Sequence, residues 1–252
     1  FINIIMLKIT LKIYFRLLLE FKYLKFRVID MIAFKEKVNY LKSNSKPVQN
    51  VYCNYMDNIH GSIINYDFIT LNEHCMTFND DLNRNLNHEF NLLGSGWKNL
   101  NYYSIEINKN INRSNEIKNQ ISLSLNLDIN LINNYNPIDW QLDFKSGFRW
   151  SEKTWYMDVP IGKELGTDIK VPWELSRLQH LPQLALLYKK DSGKEHLARE
   201  CVLQITDWIV SNRIRFGVNW RTSMEVGIRA CNMLLTYELI KKSSSVTKEF
   251  NK

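Results

Sequence analysis

No CxxC pair occurs in this chain. Its four cysteines, Cys53, Cys75, Cys201 and Cys231, lie far apart, which argues against a zinc ribbon or a disulfide framework. Cys201 and Cys231 fall within apolar helical patterns and are expected in the core. The five histidines, His60, His74, His88, His180 and His196, form no HExxH or comparable ligand spacing, so neither a metal nor a cofactor is expected. There is also no long uninterrupted apolar run. Residues 1–29 are apolar but broken by Lys8, Lys12, Arg16, Glu20, Lys22, Lys25 and Arg27, which excludes a spanning helix. No apolar stretch leads to a small-residue cleavage site, so no clear signal peptide is present. The net charge of +7 favours an anionic partner, yet no tight Lys/Arg block marks a nucleic-acid footprint. Internal repetition is absent as well, which removes the expected signature of a helical repeat scaffold for protein partners.

What is present is 252 residues, enough for one or two domains with a substantial core, of which 45% are hydrophobic. Residues 1–45 read as a basic amphipathic helical segment with Lys8, Lys12 and Arg16 on one face. That face suits either packing against the rest of the protein or a membrane surface. Residues 46–136 form an irregular Asn/Ile-rich region, in which Phe68–Leu71 and Ser122–Leu127 look like short strands or extended connectors. Gly94-Ser95-Gly96 predicts a turn. Residues 139–150, aromatic and charged, read as an ordered loop with little regular structure.

From Asp168 the pattern becomes strongly helical. Pro172 suits a first turn, Pro182 is expected to kink the helix, and Asp191-Ser192-Gly193 ends it. A second helix is expected from about Glu195 to Ser211, with Leu197, Cys201, Ile205 and Trp208 as its apolar stripe. A third begins near Thr222, which with Glu225 fits a capping box. The fold class is therefore mainly α, with successive helical hairpins after residue 137.

The third helix carries the most informative pattern. Glu225, Arg229 and Asn232 fall at i, i+4 and i+7, one sparse polar stripe on an otherwise apolar helix, of a kind that can line a cavity. Just before it stands Gly217-Val218-Asn219-Trp220. Read from the residues alone, Asn219 fits either a pre-helix turn or a site, and Trp220 either a stacking platform or core. Arg229 either binds a carboxylate bidentately or pairs with Glu225. Glu174, Arg177 and His180 sit near one face and either line the same cavity or form an ion pair beside a core histidine. Trp140 and Trp150 are candidate sugar-stacking residues or loop anchors.

The segments GSG, IDWQLDFKSGFRW, DIKVPWELSRLQHLPQLALLY and FGVNWRTSMEVGIRACNMLLTYEL, in that order, resemble the heparinase II/III family of polysaccharide lyases, in their N-terminal α/α-toroid domain. The resemblance implies an incomplete (α/α) toroid over 137–252 and β-elimination of a uronic-acid-containing glycan, glycosaminoglycan or alginate-like. It gives Asn219 the catalytic task of neutralising the uronate carboxylate. The resemblance carries a role to Asn219 alone; Trp220, Glu225, Arg229, Glu174, Arg177, His180 and Trp150 are candidate substrate-binding residues from the residue pattern. The family's acid and base, a Tyr and a His, match no residue here, so a truncated, inactive form is expected, in the periplasm or cell envelope. The alternative is a noncatalytic carbohydrate-binding helical domain. In both cases the partner is an acidic polysaccharide, with no nucleic acid and no integral membrane segment.

Overall fold

The computed structural model describes residues 36, 39, 80–100, 110–162 and 165–251. Apart from Glu36 and Asn39, which are helical, these belong to the unit Pro47–Lys252. The rest of the amphipathic segment expected at 1–45, the strand expected at Phe68–Leu71, and Cys53, Cys75, His60 and His74 lie outside the described residues.

The described chain is mostly helical. It opens with α1 (Asp80–Leu86) and a small antiparallel hairpin, β1 (Glu89–Phe90) with β2 (Lys98–Asn99), in which Glu89 faces Asn99. The expected Gly94-Ser95-Gly96 turn is the tip of that hairpin, with both glycines at positive φ. Next comes α2 (Asn110–Leu125). It corrects the short strand or extended connector expected at Ser122–Leu127, because residues 122–125 are its last turn. The local alternation is short, whereas Ile117, Ile121 and Leu125 repeat every four residues and are all buried. Leu123, which an alternating strand would have buried, is 73% exposed.

Residues 139–150 are more regular than expected. They contain a second hairpin, β3 (Leu142–Asp143) with β4 (Phe148–Arg149). Asp143 shapes its turn: the carboxylate accepts from the Lys145 and Ser146 amides and from the Ser146 hydroxyl, an Asx-type arrangement.

The expected single kinked helix is in fact two, α3 (Lys170–Ser176) and α4 (His180–Lys190). The break falls at Leu178, whose φ of 58° lies in the left-handed region while its side chain is fully buried. Pro182 causes no break. It is the third residue of α4, in the first turn, where a missing N–H loses no helical bond. Then α5 (Glu195–Ser211) occupies the span read from the sequence, and α6 (Ser223–Ile240) follows Thr222.

Helix α4 packs against both α5 and α6, and α2 packs against α5. The core between them holds Ile117, Ile121, Leu181, Leu184, Leu197, Cys201, Ile205 and Trp208, with Trp140 fully buried at its end. Cys201 is in this core as expected. Cys231 is not: it lies exposed on α6, on the same side as Met224 and Leu234, which are 60% and 44% exposed. Among the described residues, no helix is long and apolar enough to cross a membrane.

Candidate functional site

Six of the eight candidate residues come together where the end of α3, the 3-10 turn Val218–Trp220 and the start of α6 meet. The polar stripe of α6 explains the junction. Glu225 accepts two bonds from Arg177, from Nε at 2.8 Å and from Nη2 at 2.9 Å. Arg229 donates from Nη1 to the Ser176 carbonyl at 3.4 Å and from Nη2 to the Asn219 carbonyl at 2.9 Å. Asn232 donates to the Arg177 carbonyl at 2.8 Å. The stripe thus closes over the C-terminal end of α3, where carbonyls lack helical partners and positive charge is favoured.

Two sequence expectations change here. Thr222 is the N-cap of α6 with extended backbone but gives no side-chain cap, and Glu225 turns to Arg177 instead of closing a capping box. Nor do Glu225 and Arg229 pair with each other. A bidentate guanidinium fork from another helix is the stronger partner for Glu225. Arg229 stacks its guanidinium 3.9 Å from the centre of the Trp208 ring and 5.6 Å from that of Trp220. Burial pushes its pKa down to about 10, opposed by Glu225, so it stays protonated at neutral pH.

Arg177 also bonds Glu174, and both side chains are 21% exposed, against 1% for Glu225. The Glu225 hydrogen bonds raise the Arg177 pKa further. Two glutamates and two arginines leave the cluster formally neutral. Trp220 is half-buried and donates its indole N–H to the Asn212 carbonyl at 3.3 Å.

Asn219 is 1% exposed. Its amide nitrogen donates to the Trp140 carbonyl and to Asn212 Oδ1, both at 2.8 Å, while its Oδ1 is buried without a partner. The Trp140 carbonyl can only accept, so the amide orientation is determined by the network. Two residues that sequence reasoning missed complete it. Gln141 donates from Nε2 to Asn212 Oδ1 at 2.8 Å and accepts from the Val218 amide at 3.0 Å. Asn212 donates in turn to the Trp208 carbonyl at 2.8 Å. Their one sequence signal is a lone amide beside tryptophan or at a helix end, a pattern common enough to pass unremarked.

Gly217 lets the chain pass this network. Its φ of 77° and ψ of −177° suit glycine, and a Cβ there would sit 2.7 Å from Gln141 Oε1. Gln141 is held at both ends and has little room to yield. Gly217→Ala is expected to lower stability by about 2 kcal/mol, read as a lower urea midpoint. An unchanged midpoint would show that the turn and Gln141 adapt freely.

The remaining two candidates stand apart. Trp150 is buried with Val159, Ile169 and Val218 and donates to the Pro160 carbonyl at 2.9 Å. His180 starts α4 and faces Gln204 of α5, with 2.6 Å between Nε2 and Oε1. Burial pushes its pKa down to about 4, so it is a neutral core histidine near pH 7. Gln204 connects it to Glu200, which sits 2.7 Å from His88. Nearby, the fully buried Asp207 accepts from the Tyr135 hydroxyl at 2.8 Å, the Ile138 amide at 2.9 Å and the Ser211 hydroxyl at 2.9 Å. Among the described residues, no group of three His, Cys, Asp or Glu side chains is arranged to hold a metal ion.

A family model described as heparinase II/III N-terminus matches residues 97–251. Among curated proteins and among solved structures nothing matches the chain.

Proposed function

Because this chain belongs to the heparinase II/III N-terminus family, we propose that it is the helical domain of a polysaccharide lyase and binds a uronic-acid-containing glycan. Family membership is the observation that carries the reading. In β-elimination a base removes the C5 proton of the uronate, the C4–C5 double bond forms, and the O4 oxygen leaves with a proton from an acid. The C5 proton becomes acidic only when the neighbouring carboxylate is neutralised, because the carbanion spreads its charge onto that group.

Neutralisation is assigned to Asn219, whose amide can donate without becoming a competing base. For this the ligand must replace one of its two present acceptors. Asn212 Oδ1 is the replaceable one, since it keeps Gln141 Nε2 as a partner when Asn219 leaves. Glu174, Arg177 and Trp220, at the more open side of the cluster, are the assigned glycan contacts. His88, His180 and Tyr135 are engaged in the core, so proton transfer is assigned to groups other than these. The exposed Met224, Cys231 and Leu234 on α6 suit a further helical layer, in line with an (α/α) toroid. The periplasm or cell envelope is the setting that fits such a substrate.

A second reading, a noncatalytic carbohydrate-binding helical domain, is favoured by the engagement of both Asn219 donors. One experiment addresses both. The chain is passed over immobilised acidic polysaccharides, and the same glycans are monitored for the ultraviolet absorbance of an unsaturated uronate. Retention without an absorbance rise is expected, and Asn219→Ala should weaken retention roughly tenfold, about one hydrogen bond, while staying folded. No retention of the parent chain on any acidic glycan would sink the binding assignment. A strong absorbance rise would mean that an acid and a base are present in this chain after all.

A further inference from the structure

We propose that Gln141 and Asn212 are positioning residues for Asn219, which together with the Trp140 carbonyl hold its amide with a donor toward the glycan; this rests on the function proposed above. The three side-chain amides form one polarised chain. Val218 N–H donates to Gln141 Oε1, Gln141 Nε2 donates to Asn212 Oδ1, and Asn219 Nδ2 donates to that same oxygen. Both ends are pinned by groups of fixed polarity. Val218 offers only an N–H, while the Trp208 and Trp140 carbonyls, which receive Asn212 Nδ2 and Asn219 Nδ2, only accept. Gln141, Asn212 and Asn219 are 2%, 1% and 1% exposed, so water cannot rescue a reversed amide.

Reversing any member would set like against like. Were Asn212 turned, its Nδ2 would face two N–H donors, and its oxygen would face the Trp208 carbonyl. The chain therefore holds Asn219 with its nitrogen toward Asn212, the polarity a carboxylate needs once it displaces that acceptor. Gly217 belongs to the same device, because any side chain there meets Gln141 at both Oε1 and Nε2.

The test changes polarity with little change of shape. In Gln141→Glu, one carboxylate oxygen still accepts from Val218, while the other opposes Asn212 Oδ1. Protonation turns that oxygen back into a donor. Two readouts are taken on the whole chain: the Asn219 side-chain amide resonances in 15N NMR, and affinity for oligoalginate and heparin oligosaccharides as the probes. Urea unfolding is followed alongside.

The expected result is that the variant, still folded, shifts the Asn219 resonances at neutral pH and binds roughly tenfold more weakly. Both should return toward the parent's values at the same acid pH. Gln141→Met, with no donor to recover, should bind weakly at every pH. Unshifted Asn219 resonances in folded Gln141→Glu would overturn the proposal, as would a pH dependence that merely tracks unfolding. If the parent binds neither probe, the function proposed above falls, and the resonances alone judge the positioning.

Discussion

Arg177→Met will lower the free energy of unfolding by about 3 kcal/mol. The methionine keeps most of the aliphatic stem but removes the fork that holds Glu225. That carboxylate is 1% exposed and takes both its side-chain bonds from Arg177. An unpaired buried charge costs several kcal/mol, whereas an exposed pair contributes less than about one. Arg177 is the more open partner, so the loss comes from what is left behind in Glu225, not from the arginine. Adding Glu225→Leu should restore more than half of the deficit, because the uncompensated charge is then gone. Urea unfolding measures both. A loss below about 1 kcal/mol in the single variant would place the pair among ordinary surface bridges.

The second large effect concerns acid. Asp207 is completely buried, and burial pushes its carboxyl up to about 6 from an ordinary 3.8. His180 is displaced the other way, down to about 4 from 6.5, again by burial. A carboxyl raised in the folded state binds its proton more readily there, so its contribution to stability grows as pH falls from about 6 to 3.8. A histidine lowered in the folded state is protonated first in the unfolded chain, so stability is lost as pH falls from 6.5 to about 4. Each is worth on the order of 3 kcal/mol, with opposite sign over nearly the same range. In the parent they largely cancel.

Asp207→Asn keeps an acceptor for Tyr135 and Ile138 but cannot titrate, so the His180 term stands alone. The variant should lose on the order of 3 kcal/mol more than the parent between pH 6.5 and 4. Urea midpoints over that range decide it, and parallel profiles would refute the compensation. His88, raised through its partner Glu200 despite burial, acts above this range: its contribution is complete below 6.5 and is lost as pH rises through its folded value.

Much of this architecture was legible in the residues. The bounds of α5 follow from Leu197, Cys201, Ile205 and Trp208 at helical spacing, and that period survives folding because one face is buried along its whole length. The break at Leu178 was not legible. Left-handed leucine is costly, and local preference runs through it. It is sustained by Arg229 and Asn232, which cap the preceding carbonyls from a helix more than fifty residues away.

The same remoteness hid the partners of the stripe. Glu225, Arg229 and Asn232 were correctly placed on one face, but a stripe facing an open cavity and one facing a helix end have identical spacing. Asn219 was found through the resemblance. Its two neighbours Gln141 and Asn212 were not, since an isolated amide gives no periodic signal. In the Ser122–Leu127 segment a short alternation outweighed the four-residue repeat of Ile117, Ile121 and Leu125.

The closure of α6 over the end of α3 also sets an order in time. Its bonds join residues 48, 53 and 55 positions apart in the chain, and the loop so closed contains the whole α4–α5 pair. Nearby helices meet at small entropic cost, while a loop of that length must be closed before its contacts return anything. The α4–α5 pair can therefore form while the surroundings of Asn219 are still unassembled. The amide chain, the charge cluster and the turn at Gly217 are therefore expected to form together, late in folding, and to dissolve first when the end of α3 comes loose, which native-state hydrogen exchange at the Val218 amide would report.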